Sequence, residues 1–501
     1  MTATTLVPTL TVDERSTDFR QDVQRIARRI DAIGERDKGL CFGLSWYYIR
    51  LILLTGIGWA MDAMETLLFT YVMKSIQKDI TMGPHQTSFL SGAVFVGSFI
   101  GSFMFGSLMD KYGRRPMFMV TLLIFLVALG LCGASWNITS LTAFRILGGV
   151  GLGGELPVAS TLVQELSPKK TRGKIIVLLE AFWAVGGMLA IALAFGVEPH
   201  TGWRGLFYLC CIPVVYSAVI RFMIPESPKW LASVGRYEEA VAIVESIERA
   251  HGLDPYDEKA EVEPIPTVVS EFKIPESHLD RIKLLFFQPF SVRTTVLWTL
   301  WFGISMAYYA VFILLPGLIA ATGYNMNGSW ERMLLITSFQ LPGYFSAAYL
   351  VESLGRRRTL SLYLFGSFAS AIAFAYVPAE AFPVMFTGSA MSFFLLGAWG
   401  LVYSYTPENY PTAIRGIGAA YPSGFSRIGA FSGPYLCNDM LNNWGMSLES
   451  IMWTFGAVLV LISAVVLFFG YEPHGKNIEE YSDVLETHEK EGFVKASTPL
   501  N

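Results

Sequence analysis

Gly106-Ser-Leu-Met-Asp110-Lys-Tyr-Gly113-Arg114-Arg115 ends one apolar stretch of the chain, and Ala348-Tyr-Leu-Val-Glu352-Ser-Leu-Gly355-Arg356-Arg357 ends another. A second pair recurs at nearly the same offset. Glu165-Leu-Ser-Pro168…Arg172-Gly173 returns as Glu408-Asn-Tyr-Pro411…Arg415-Gly416. Two motifs repeating at one spacing, each just after an apolar run, mean an internal duplication. The repeated unit is a set of hydrophobic segments joined by basic loops.

A spanning helix needs about 20 mainly apolar residues. Twelve stretches qualify, near residues 51–73, 87–109, 117–136, 141–163, 175–197 and 206–223, then 294–320, 333–351, 359–378, 383–405, 414–436 and 450–470. The expected fold is an all-α membrane protein with twelve transmembrane helices in two six-helix pseudo-repeats. Residues 1–49 form an N-terminal segment, 50–224 the first half, 225–293 a linker with short helices, 294–471 the second half and 472–501 a tail. Composition agrees, with 52% apolar and 16% charged residues and a mean hydropathy of +0.44. Soluble domains carry about 25% charged residues. The net charge of −4 decides little, because in a membrane protein the placement of charge matters more than the sum. No nucleic-acid partner is expected.

Orientation follows from Lys and Arg in the short loops. One side holds Lys111, Arg114, Arg115, Lys169, Lys170, Arg172, Lys174, Arg356, Arg357, Arg358 and Arg415; the other holds Lys74, Lys78, Arg204 and Arg332. Both termini are therefore expected in the cytoplasm, in a multi-pass protein of the plasma or inner membrane. The first apolar run lies behind a polar, charged segment, so no cleavable signal peptide is expected. Cys41, Cys132, Cys210, Cys211 and Cys437 are scattered and give neither a disulfide framework nor a metal spacing. No metal and no cofactor is expected.

The flanks read as accessory. Phe19, Val23, Ile26, Ile30 and Ile33 recur every three or four residues and form one apolar stripe. That helix either lies on the inner membrane surface or packs on the protein. Residues 236–249 read as a second amphipathic helix, and 255–274 as irregular.

Chemistry enters through charge inside the spans. Asp62, Glu65, Arg145, Glu155 and Arg427 lie where lipid should surround the chain. A charge near a bilayer centre costs roughly 2.5–3.5 kcal/mol, so such residues face a cavity or a partner. Asp62 and Glu65 share a helix face, with Asp62 about 17 Å along its span and Arg427 about 20 Å along another. The acids suit a proton carrier; the Arg427 guanidinium suits a substrate carboxylate. A purely structural Asp62–Arg427 pair is the bland alternative. Aromatics crowd the same spans: Trp59, Trp183, Trp298, Trp301, Tyr308, Tyr309, Trp399, Tyr403 and Tyr405, with Gln340 the clearest intramembrane amide. Such a cavity suits a flat apolar body with one charged group better than a sugar.

Gating falls to the repeated loops: Gly106, Asp110, Gly113, Arg114, Arg115, Glu165 and Arg172 in the first copy, Glu352, Arg356, Arg357, Glu408 and Arg415 in the second. The bland reading of these loops is that they merely fix orientation. Arg145 and the glycines of 148–154 are expected to line a moving interface. Glu180, only about 8 Å into its span, is expected to meet a loop arginine.

These residues resemble a family. The gate loops, the 145–160 segment and Pro225-Glu-Ser-Pro-Lys-Trp-Leu231 resemble the sugar-porter and metabolite-symporter branches of the major facilitator superfamily. Gly58-Trp59-Ala-Met-Asp62-Ala-Met-Glu65, the Trp301–Tyr309 region, Gly397-Ala-Trp399 and Phe425-Ser-Arg427-Ile-Gly429 look most like nicotinate-transporter-like proton symporters, relatives of the synaptic-vesicle-protein branch. Two departures weaken a sugar reading: the glutamine pairs of sugar porters are missing, and their closing Pro-Glu-Thr motif is only echoed by Glu472-Pro-His-Gly475.

The resemblance implies alternating access with the substrate between the halves. The expected function is proton-coupled uptake of a small organic or aromatic acid. Its partners are an organic anion, protons and the lipid bilayer, and the protein is expected to be a monomer. A sugar or polyol symporter and an organic cation symporter are the transport alternatives; a transport-inactive receptor or sensor is the alternative of another class. An enzyme is not expected: no His-Glu-x-x-His, nucleophile elbow or metal-ligand cluster occurs.

Overall fold

The computed structural model describes residues 12–36, 43–221, 223–253, 278–286, 290–313, 330–378 and 380–473. Helix α1 (Val12–Arg36) precedes α2 (Trp46–Asp79), α3 (Pro84–Tyr112), α4 (Arg114–Gly133), α5 (Ile138–Leu166), α6 (Arg172–Gly196) and α7 (Glu198–Arg221). Three shorter helices follow: α8 (Pro228–Ser233), α9 (Tyr237–Ala250) and α10 (His278–Phe286). Then come α11 (Ser291–Ile313), α12 (Trp330–Ser338), α13 (Gln340–Ser353), α14 (Arg356–Ala375), α15 (Ala381–Tyr405), α16 (Thr412–Asn442) and α17 (Leu448–Phe469).

Nine of the twelve expected spans are long and apolar enough to cross a bilayer among the described residues. The other three also fall on long helices. α7 and α11 border residues outside the described set, and α16 carries Arg415, Arg427 and Asp439, which lower its hydropathy. Large apolar side chains such as Leu123, Phe365, Phe382 and Phe468 point outward, as a lipid-facing surface requires. The expected span at 333–351 is covered by α12 and α13, which meet at Phe339, where φ and ψ of −67° and −10° stay in the helical region.

Close packing explains the glycine-rich fifth helix. A Cβ at Gly97 would collide with the Ile146 carbonyl, one at Gly149 with that of Val94, and one at Gly153 with that of Ser98. α3 and α5 thus touch backbone to backbone, as small residues permit in membranes. Gly151 does the same against α4, where a Cβ would lie 2.7 Å from the Thr121 carbonyl oxygen. The glycines therefore pack within the N-terminal set of helices. That set meets the C-terminal one where α3 runs along α16, and where α6 lies against α12, α13 and α15.

Of the two expectations for the N-terminal stripe, packing on the protein holds. Val23, Ile26, Ile30 and Ile33 are buried against α8 and α9. Arg29 grips Glu248 of α9 with two hydrogen bonds of 3.1 and 2.8 Å, both side chains buried. α9 itself matches the expected amphipathic helix and buries Ala240, Val244 and Ile247. The expected irregular segment at 255–274 and the tail beyond 473 lie outside the described residues.

Candidate substrate cavity and gate

The duplicated loops build one end of the bundle, the basic end. Gly113 and Gly355 take φ of 101° and 87°, a region that favours glycine, and so let α3 turn into α4 and α13 into α14. Each turn is then capped by a distant carboxylate. Glu226 accepts the N–H groups of Arg114 and Arg115 at 3.1 Å; Glu472 accepts those of Arg356 and Arg357 at 3.0 and 3.1 Å. The Glu472 motif, read in sequence only as a faint echo, thus repeats the structural job of Glu226. Burial pushes the Glu226 carboxyl above its usual range, while the backbone N–H donors pull it back.

Side-chain pairs repeat as well. Arg114 binds Glu165 at 2.9 Å and Asp110 at 3.3 Å. Arg356 binds Glu408 at 2.9 Å and Glu352 at 3.0 Å. Links then cross between the two sets of helices. Arg415 reaches Glu165 at 2.9 Å, Asp110 accepts the Ile417 N–H at 3.2 Å, and Glu352 accepts the Lys174 N–H at 3.0 Å. Gly106 allows the approach, since a Cβ there would strike the Ala420 methyl. Arg172 turns elsewhere, to the Ser167 carbonyl and, at 3.9 Å, to Asp31 of α1. The basic end is shut.

Above this clamp lies a small cavity. Its walls include Glu180 and Trp183 of α6, Tyr308 and Tyr309 of α11, Tyr344 of α13, Trp399 and Tyr403 of α15, and Arg427 of α16. Trp183 donates to the Tyr308 hydroxyl at 3.2 Å. Rings continue behind the wall: Trp59 meets Tyr403 at 5.4 Å between centroids, and Trp301 meets Tyr403 at 4.9 Å and Trp399 at 5.7 Å. Edge-to-face pairs like these hold a rigid aromatic box. Arg427 is 4% exposed, donates to Ser423 at 3.3 Å and faces the phenols of Tyr309 and Tyr403; its Nε carries no hydrogen bond.

Several residues lie away from where the sequence put them. Glu180, expected beside a loop arginine, lines the cavity. Its depth was counted along one helix, which ignores tilt and the reach of the cavity. Arg145 is far from the basic end: it pairs with Glu65 in a second small pocket, with its guanidinium 3.9 Å from the Phe69 ring centroid. Asp62, Glu155 and Gln340 are buried but line neither cavity. Trp59 and Trp301 support the wall rather than forming it. Leu156, Tyr344 and Leu396 of the lining were not singled out from sequence. Leu396, Trp399 and Tyr403 follow helical spacing, as do Glu180 and Trp183, and that periodicity was the available signal.

A bundle of membrane helices, clamped by duplicated ion pairs at one end beneath a buried cavity, is the build of a secondary transporter. The chain belongs to the Sugar (and other) transporter family of the major facilitator superfamily, which residues 56–485 match. It is 37% identical to the niacin transporter NiaP of Acinetobacter baylyi over 86% of this chain and 96% of that one. Identity to a putative niacin/nicotinamide transporter NiaP of Bacillus subtilis is 35%, over 86% and 98%. The synaptic vesicle 2-related protein of Xenopus laevis is 28% identical, over 88% and 81%. Among solved structures, the proton:xylose symporter XylE superimposes with a TM-score of 0.69 at 19% identity, over 87% of this chain and 98% of that one. The protein is a secondary transporter of a small metabolite.

Proposed function

We propose that the protein imports a small organic or aromatic acid, nicotinate-like, together with protons, by alternating access. The observation that carries this is Arg427. It is a buried guanidinium with an unused donor, set in an aromatic cavity. Its planar fork matches a carboxylate, and the walls match a flat ring. The described lining contains no Asn or Gln, which disfavours a sugar. Relatives named as niacin transporters point the same way. The coupling acids are Asp62, Glu65 and Glu155, with Glu180 added by its place in the cavity. The basic end faces the cytoplasm, both termini lie on that side, and the halves are residues 50–224 and 294–471, working as a monomer in the plasma or inner membrane.

The test is uptake by proteoliposomes with and without an imposed pH gradient, comparing nicotinate with nicotinamide. Arg427→Lys keeps the charge but loses the fork. Removing an interaction with a charged group costs about 1.5–3 kcal/mol, so affinity for the acid should fall roughly ten- to more than a hundred-fold. Equal handling of acid and amide by the wild type, unchanged in Arg427→Lys, would sink the anion site.

A further inference from the structure

We infer that Glu180 is the second pole of the substrate site, and that the transported acid is a flat heteroaromatic whose ring nitrogen faces Glu180 while its carboxylate faces Arg427. This rests on the anion-site reading of Arg427 and adds the opposite end of the ligand.

Glu180 is 2% exposed and is the only acid lining this cavity among the described residues. One of its carboxylate oxygens has no hydrogen bond. The Trp59 indole approaches the carboxylate but does not reach hydrogen-bond geometry. Nor does Arg427 neutralise it: that guanidinium donates to Ser423 and faces the phenols of Tyr309 and Tyr403. A buried polar group left in this condition is costly. Glu180 and Arg427 are therefore two poles in one cavity, each with capacity to spare. Tyr309 and Tyr403 lie within electrostatic reach of both, so a ring bound between the poles would rest on those phenols and on Trp399.

Charge bookkeeping gives the chemistry of the ligand. With an acid anion bound, the cavity would hold one guanidinium and two carboxylates. The other groups facing Glu180 are Trp59 from α2, Tyr308 and Tyr309 from α11, Tyr344 from α13 and Tyr403 from α15. None of these is a cation or a second acid. A single proton shared between Glu180 and a basic ring atom brings the sum to zero. A pyridine nitrogen can accept that proton from the carboxylic acid, or as pyridinium donate it back to the carboxylate; the same bond results. A benzene ring offers no such atom and leaves Glu180 against an apolar edge. The site should thus tell a pyridine carboxylate from a benzene carboxylate of the same shape, because a site built to hydrogen-bond a ligand atom rejects the analogue lacking it.

The experiment is direct calorimetric binding to the purified full-length protein, with nicotinate and benzoate as ligands and with wild type, Glu180→Leu and Arg427→Lys. Wild type should bind nicotinate at least ten-fold more tightly than benzoate. Glu180→Leu removes every donor and acceptor facing the ring nitrogen and should bring that ratio close to one through loss of nicotinate affinity, with benzoate affinity held or raised; retained benzoate binding also shows that the variant is folded. Arg427→Lys should weaken both acids and keep the ratio. Equal affinities in wild type overturn the inference while leaving the anion site intact, and need no variant to fold. Survival of the ratio in Glu180→Leu overturns it too. Binding of neither acid by wild type, or indifference of both to Arg427→Lys, overturns the anion-site reading and the inference with it.

Discussion

Glu65 and Arg145 face one another in the interior, with Glu65 Oε2 and Arg145 Nε lacking further hydrogen bonds. Both charges have left water, so the pair is worth little net, whereas half of it is expensive. Removing one partner of a buried pair costs about 3–5 kcal/mol, while replacing both by apolar groups is often neutral. Glu65→Gln should therefore lower the melting temperature of the detergent-solubilised protein sharply. The double variant Glu65→Leu/Arg145→Met should recover most of the loss. A double variant that stays as unstable as the single one would show that the pair holds the fold by more than mutual neutralisation. The recovered variant also separates structure from coupling: gradient-driven uptake that is lost while stability returns would mark Glu65 as part of the proton pathway.

At the level of helices, contact between α3 and α5 is set by the absence of side chains. Gly153→Ala pushes a methyl into the Ser98 backbone, which cannot rotate away. Overpacking of this kind costs about 1–3 kcal/mol. Gly196, at the end of α6, has open space around it, so Gly196→Ala should be neutral or slightly stabilising in the same melting assay. Equal effects of the two would mean that α3 and α5 can move apart freely. The docking of α1 has its own test. Glu248→Ala leaves Arg29 buried without its carboxylate and should raise hydrogen exchange across α1, with α2–α7 unchanged.

Most of these elements were legible beforehand, because a run of apolar residues of membrane length has one outcome. The interruption at Phe339 was missed although the sequence announces it: Pro342 lacks the N–H that would bond the Ser338 carbonyl. The place of Glu180 escaped for a different reason. Sequence gives depth along a helix, whereas a cavity is defined by which faces of several helices converge.

The two sets of helices are tied together at the basic end by an ion pair and backbone hydrogen bonds. Glu165 bridges the two sets, since it binds Arg114 within its own set of helices and Arg415 across the divide. The duplication made these residues visible in the sequence, but it could not show which partners cross between the sets. Both copies pair internally, and Arg415–Glu165 is a side-chain ion pair that joins them. Alternating access requires that this clamp break and re-form, so its strength should set the balance between closed and open states. Glu165→Gln keeps the shape and removes the charge. Losing one charge-assisted hydrogen bond is worth about 1.5–3 kcal/mol, or roughly a ten- to more than hundred-fold shift in that balance. Ala420 reports on it, because it is buried against Gly106 while the end is shut. With the native cysteines replaced, Ala420→Cys should react slowly with an impermeant thiol reagent applied from the basic side. Adding Glu165→Gln should speed that reaction by about ten-fold or more, as the end opens more often. Saturating nicotinate should change the rate in both backgrounds if the cavity and the clamp belong to one cycle. Equal rates with and without Glu165→Gln would mean that the closed end is held by the packing of α3 on α16, and the ion pairs would lose their claim to be the gate.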